Sequence, residues 1–122
     1  MLLPYFLLSV FFLLIGDSVS QQETSSIVYP TENTVWRVGQ HVNVTFSQKR
    51  PPKDTVAIFF ENDRKVMLGA GPLTETVFKF VVPPGAVSPP NGTSLLLAVK
   101  RENFYLQSVD GVNVKVLPEL DW

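Results

Sequence analysis

Residues 29–46 read YPTENTVWRVGQHVNVTF. From Trp36 to Phe46 the even positions are mostly apolar: Trp36, Val38, Val42, Val44 and Phe46. The odd positions, Arg37, Gly39, His41, Asn43 and Thr45, are polar or small. A period of two is what a strand shows when one face meets a core and the other meets water, so the spacing predicts one long strand here. Gln40 breaks the alternation just after Gly39, which predicts a bend or bulge. Ahead of it, Ile27-Val28-Tyr29 reads as a short edge strand stopped by Pro30, which has no N–H to give a ladder. Thr31-Glu32-Asn33-Thr34 then forms a turn. Asn43-Val44-Thr45 is also an N-glycosylation sequon, with its asparagine on the polar face.

Upstream, MLLPYFLLSVFFLLIGDSVS reads as a secretory signal peptide over residues 1–20. The apolar run from Leu2 to Ile15 falls short of the roughly 20 residues that span a bilayer. Ser18-Val19-Ser20 puts small residues where a signal peptidase reads, so cleavage is expected after Ser20. The mature chain is then residues 21–122, long enough for one small domain. It carries 10 acidic and 10 basic residues. No basic stripe supports nucleic-acid binding. No second apolar stretch of membrane length follows, so no integral membrane span is expected after cleavage. Cysteine is absent, which excludes disulfides, cysteine nucleophiles and thiolate metal sites and leaves the apolar core to hold the fold.

The rest of the chain continues the pattern. A polar lead, residues 21–26, precedes a domain predicted over 27–117 and a tail over 118–122. Ser47 to Asp54 is an exposed loop carrying Lys49, Arg50 and Lys53, better read as solvated than as a contact for acidic or polysaccharide ligands. Thr55 to Glu61 is a strand with Val56, Ile58 and Phe60 inward and Phe59 half exposed. Lys65 to Leu68 is a short returning strand, broken by Gly69-Ala70-Gly71-Pro72. Thr74 to Val82 is a strand with Phe78, Phe80 and Val82 on one face. Pro83 to Gly92, with two Pro-Pro pairs, is an irregular loop ending in a second sequon, Asn91-Gly92-Thr93. Ser94 to Lys100 is a strand for the middle of a sheet, and Arg101-Glu102-Asn103 is a turn or bulge. Phe104-Tyr105-Leu106 leads to a last strand, Gly111 to Leu117, with Val112, Val114 and Val116 inward. Helix signals are absent, and turn signals recur about every 8–12 residues. The expected fold is all-β: an immunoglobulin-like or fibronectin-like sandwich of about seven strands.

No constellation points to catalysis. His41 is the only histidine and lies mid-strand, so a triad or a His-based metal site would rest on it alone. Glu61 and Asp63 sit beside Arg64 and Lys65 at a hairpin end, where ion pairing explains them better than a glycosidase pair does. We assign no catalytic residue, metal ligand or cofactor. Trp36, Phe46, Phe60, Phe78 and Phe80 read as core. Tyr29, Phe59, Phe104, Tyr105 and Trp122 stay open between core or edge burial and stacking on a sugar face. Of these, Phe59, Phe104 and Tyr105 are the candidate ligand contacts. Asn43 and Asn91 are the candidate glycosylation sites.

The opening motif, SIVYPTENTVWRVGQHVNVTF, resembles the N-terminal domain of the fungal Ser/Thr-rich, GPI-anchored cell-wall family. That family includes the yeast killer-toxin-resistance proteins implicated in β-1,6-glucan synthesis. Pro30, Trp36, Gly39, Gln40, Val42, Val44 and Thr45 carry the likeness. Val77-Phe78-Lys79-Phe80-Val81-Val82-Pro83 resembles the family's aromatic strand. Pro90-Asn91-Gly92-Thr93, Leu95 to Val99, and Val109 to Val116 follow its later elements. The resemblance spans roughly residues 26–117. It implies a secreted, non-enzymatic sandwich with a structural or adaptor role in wall β-glucan organisation, and wall polysaccharide or wall proteins as partners. The family's stalk and GPI signal do not follow Trp122 here, and the Pro51-Pro52 loop departs from its pattern. A free-standing secreted relative is therefore the expectation, with a diffusible module or effector that recognises a glycan or foreign protein as the alternative.

Overall fold

The computed structural model describes residues 26–120. The expected signal peptide, most of the polar lead and Trp122 lie outside the described residues. Eight strands form: β1 (Ile27–Tyr29), β2 (Thr34–Arg37), β3 (His41–Phe46), β4 (Asp54–Phe60), β5 (Gly69–Pro72), β6 (Val77–Val81), β7 (Ser94–Glu102) and β8 (Tyr105–Leu117). A smaller sheet has the order β1-β3-β6 and a larger one β2-β8-β7-β4-β5. Every pairing is antiparallel except β2 with β8, which run parallel from Thr34↔Val114 to Arg37↔Leu117. The all-β sandwich expected from the alternation is the observed fold.

The alternating faces meet between the sheets. Val42, Val44 and Phe46 from the smaller sheet are buried, as are Val56, Ile58, Phe60, Leu96, Ala98, Val112, Val114 and Val116 from the larger. Trp36 sits at the centre. Its ring lies 5.7 Å from Phe80, 6.4 Å from Phe60 and 6.3 Å from Tyr29. The first two contacts are edge-to-face, the arrangement that the aromatic quadrupole favours. Phe46 and Phe78 make a second such pair at 5.8 Å.

Five sequence expectations need correction. Trp36 to Phe46 is not one strand: the chain leaves the larger sheet and enters the smaller one at Gly39, where φ is +89°. Val38 N–H still donates to Leu117 of the larger sheet (3.0 Å), while Gly39 N–H donates to Val82, just past β6 (2.9 Å). The period of two survives because both strands face the same core.

Lys65 to Leu68 is not a strand, and the stretch read as its breaker, Gly69–Pro72, is β5. β5 is an edge strand paired only with β4, and an edge tolerates glycine and proline that an inner strand would reject. The strand expected from Thr74 to Val82 is only Val77–Val81, with Phe78 and Phe80 half-buried. The Pro83–Gly92 loop holds a 3-10 turn at Pro84–Ala86 and is partly interior. Ser94 Oγ donates to Ala86 O at 2.5 Å, and Val116 N–H donates to Ser88 Oγ at 2.9 Å.

The last strand begins at Tyr105, six residues before the expected start, and runs for 13 residues. β7 lengthens with it, to Glu102. Together they make the longest hairpin of the fold.

Candidate binding site at the β7–β8 hairpin

Glu102 pairs with Tyr105, so only Asn103 and Phe104 connect the two strands. Both have positive φ, 50° and 73°, the signature of a type I′ turn. That turn matches the twist of the flanking strands, and asparagine suits its first central position. Glycine normally takes the second, because a Cβ in the left-handed region crowds the backbone. Phe104 takes it here, and its side chain is 92% exposed. Tyr105 and Leu106 follow at 76% and 62%, and Val109 at 51%. An exposed apolar tip on a strained turn contributes nothing visible to the core.

The register explains which way each side chain leans. Lys100 pairs with Ser108 but Arg101 with Leu106, so Gln107 is an extra residue in a β-bulge. Tyr105 shares a face with Glu102 and, through the Asp54↔Glu102 pair, with Asp54. That face overhangs the end of the smaller sheet. Beneath it lies a polar cleft of about 130 Å³ lined by Arg50, Asp54, Lys100, Glu102, Gln107 and Ser108. Asp54 Oδ1 is buried with no hydrogen-bond partner among the described residues.

Two ion pairs brace the hairpin. Lys53 Nζ lies 2.8 Å from Glu102 Oε1, and Asn103 N–H donates to Lys53 O at 3.0 Å. The hydrogen bond and the charge of Glu102 raise the Lys53 ammonium above its ordinary range. Deeper in, Lys100 Nζ lies 2.9 Å from Asp110 Oδ2 and 5.7 Å from the Phe46 ring centroid. Ser26 Oγ donates to Asp110 at 2.7 Å and also accepts from Lys100. Burial alone would push the Asp110 carboxyl up, but the hydrogen bonds from Lys100 and Ser26, with the Lys100 charge, together hold it below the usual carboxylate range.

The strand edge next to the tip is open. β2 covers β8 only from Val114 to Leu117, and Asn33 N–H takes Asn113 O at 2.8 Å. From Tyr105 to Val109 the backbone edge facing away from β7 has no partner among the described residues. An open edge with exposed apolar side chains is a template for another extended chain.

The structure brings two of the three candidate contacts together, Phe104 and Tyr105. Phe59 is elsewhere: it pairs with Leu97, five register steps from the Glu102↔Tyr105 pair, about 17 Å along the sheet. It is half-buried on the outer face of the larger sheet. Leu95 and Leu97 lean over Gly111 on that face; a Cβ there would come within 3.2 Å of Leu95 Cδ1 and 3.5 Å of Leu97 Cδ2.

His41 is exposed on β3. Glu61 makes a long ion pair with Arg64, 3.9 Å, and the Asp63 carboxylate lies against Gly85. Among the described residues no three His, Cys, Asp or Glu side chains group to hold a metal, and no helix is long and apolar enough to cross a membrane.

Sequence reading missed Leu106, Val109, the open edge and the cleft. The available signal was Asn103 between Glu102 and Phe104: an asparagine flanked by two strand-forming runs marks a two-residue hairpin. Of the basic loop residues, Lys53 turns out to brace the hairpin and Arg50 to line the cleft.

The fold and this end of it define a β-sandwich module with a protruding apolar hairpin. No family model matches the chain, and no curated relative does. Among solved structures it is similar to the fibronectin(III)-like modules of Clostridium thermocellum CbhA, with a TM-score of 0.54 at 14% identity over 77% of this chain and 96% of that one. The likeness is one of fold: the chain has a fibronectin III-like sandwich.

Proposed function

We propose that the chain is a secreted, non-enzymatic binding module of the cell surface or wall, structural or adaptor in role, that holds wall β-glucan through the β7–β8 hairpin. The observation that carries this reading is Phe104, which is 92% exposed in a backbone conformation that glycine would adopt at lower cost. Strain of that kind persists where an outward ring is useful and the surrounding structure fixes the turn. Aromatic rings stack on the C–H faces of sugars while neighbouring polar groups bind the hydroxyls. Phe104 and Tyr105 supply the rings, and Arg50, Gln107 and Ser108 supply polar groups close by. The resemblance of residues 26–117 to the fungal cell-wall family supports β-glucan as the polymer.

The test is retention of the purified secreted chain on insoluble β-1,3-glucan, β-1,6-glucan and chitin, with soluble oligosaccharide as competitor. Retention on a β-glucan, competed by its own oligosaccharide and lost in Phe104→Ser/Tyr105→Ser, is the expected result. Retention on none of the three, or retention untouched by the double substitution, overturns it.

The open edge of β8 favours a second reading, an adaptor or effector that takes an extended protein segment as an added strand. That reading leads if no polymer retains the protein.

A further inference from the structure

The sequon in β3 has a structural setting that the hairpin reading does not use. β3 is the middle strand of the smaller sheet, and Asn43 lies on its outer face, opposite Lys79 of β6. The flanking pairs on the same face are His41↔Val81 and Thr45↔Val77. Val77 and Val81 are both exposed, at 44% and 46%. A shallow trough crosses this face, lined by His41, Asn43, Lys79 and Val81.

Within it, Thr45 Oγ1 donates to Asn43 Oδ1 at 2.9 Å. That bond turns the amide so that Nδ2, the atom that would carry a sugar, has no hydrogen-bond partner among the described residues. The outer face of a central strand normally alternates to polar residues. On β3 itself His41, Asn43 and Thr45 follow that rule; the exposed apolar neighbour is Val81 of the edge strand β6.

We propose that Asn43 is an N-glycosylated residue whose first N-acetylglucosamine lies in this trough over Val81. The occupant is fixed by its covalent root. The sugar's apolar C–H face covers Val81, and its hydroxyl and acetamide groups reach His41 and Lys79. Asn91 is a different kind of acceptor. It sits in the Pro89–Gly92 turn with φ +63° and is exposed, so a glycan there points into solvent. The proposal therefore separates the two sequons: the Asn43 sugar packs on the protein and the Asn91 sugar does not.

The experiment is expression of the full chain in a eukaryotic secretory host, as wild type, Asn43→Gln, Asn91→Gln and Thr45→Val. Thr45→Val removes the sequon while leaving Asn43 itself in place. Peptide mass mapping is expected to find Asn43 occupied in wild type and in Asn91→Gln, and empty in Thr45→Val. An unmodified Asn43 peptide from the secreted wild type overturns the proposal.

Packing is tested on protein trimmed to one N-acetylglucosamine per site, compared with the same protein produced in a host that does not glycosylate it. In Asn91→Gln, loss of the Asn43 sugar is expected to lower Tm by about 2 °C or more and to raise binding of a hydrophobic dye. In Asn43→Gln, loss of the Asn91 sugar is expected to change neither. Equal responses from the two sites would overturn the assignment of the trough. Neither readout depends on glucan retention, so this proposal and the hairpin reading fail independently.

Discussion

Replacing Phe104 by glycine tests the hairpin directly, because stability and binding are expected to move in opposite directions. Phe104 holds φ +73° in the second central position of the turn. A side chain in that region costs about 1–2 kcal/mol that glycine does not incur. The ring is 92% exposed, so its removal forfeits almost no burial. Against the gain stands the extra freedom of glycine in the unfolded chain, about 0.5–1 kcal/mol. The net is a stabilisation of about 0.5–1 kcal/mol. In a domain of this size that raises Tm by about 2–6 °C.

Phe104→Ala keeps the Cβ and therefore the strain, so its Tm is expected within about 1 °C of wild type. Both variants are expected to lose retention on β-glucan. Calorimetry of the three proteins beside the polymer pull-down gives both readouts. A lower Tm for Phe104→Gly would refute the reasoning, because it would mean the ring is packed against something. A higher Tm with full retention would keep the strain argument and remove Phe104 from the binding site.

Asp110→Asn strips the partner from the Lys100 ammonium and should destabilise the fold by about 2 kcal/mol, read from urea midpoints near neutral pH. Because the Asp110 carboxyl is held low in the folded state, its contribution is complete above its unfolded value near pH 4 and is lost as pH falls through the lower folded value. The wild type should therefore lose stability on acidification below about pH 4 more steeply than Asp110→Asn does. Ser88→Ala leaves the Val116 N–H without its 2.9 Å acceptor and should cost about 1–3 kcal/mol by the same measurement. Trp36→Ala empties the centre of the core, and a cost of about 3–5 kcal/mol should appear as a large fall in Tm or as loss of secreted protein. Glu61→Gln with Asp63→Asn should leave glucan retention unchanged, since both residues lie away from the hairpin.

The legible parts of the fold are those where one residue type can satisfy only one environment. Val56, Ile58 and Phe60, and Val112, Val114 and Val116, recur at every second position and are buried as the period of two demands. The sheet switch at Gly39 was half legible. Glycine followed by Gln40 signals a bend, but alternation reports only which face is buried, and β2 and β3 bury the same face from opposite sheets. β5 was illegible from propensity, because its Gly-Ala-Gly-Pro sequence is tolerated only at an edge, and edge position is a tertiary fact. The site was legible as residue types at Phe104 and Tyr105. It was not legible as a place, because the overhang depends on β7 and β8 outrunning the smaller sheet. Phe59 shows the converse: an outward aromatic in sequence that the Leu97 side of the sheet half covers.

The architecture also says why one end of the sandwich is the free one. β7 runs nine residues from the Asn91 loop to the Asn103 turn, about 30 Å, so those two loops lie at opposite poles. A glycan at Asn91 would occupy the far pole, and one at Asn43 would occupy the outer face of the smaller sheet. On the larger sheet, Leu95, Leu97 and Phe59 lie half-buried. The hairpin tip, the open β8 edge and the cleft beneath them have no such cover. The Lys53–Glu102 and Lys100–Asp110 pairs tie that overhang to the β3–β4 loop and to Ser26. A contact surface held this way loses little conformational freedom on binding, which is the gain a strained but braced turn offers over a flexible loop.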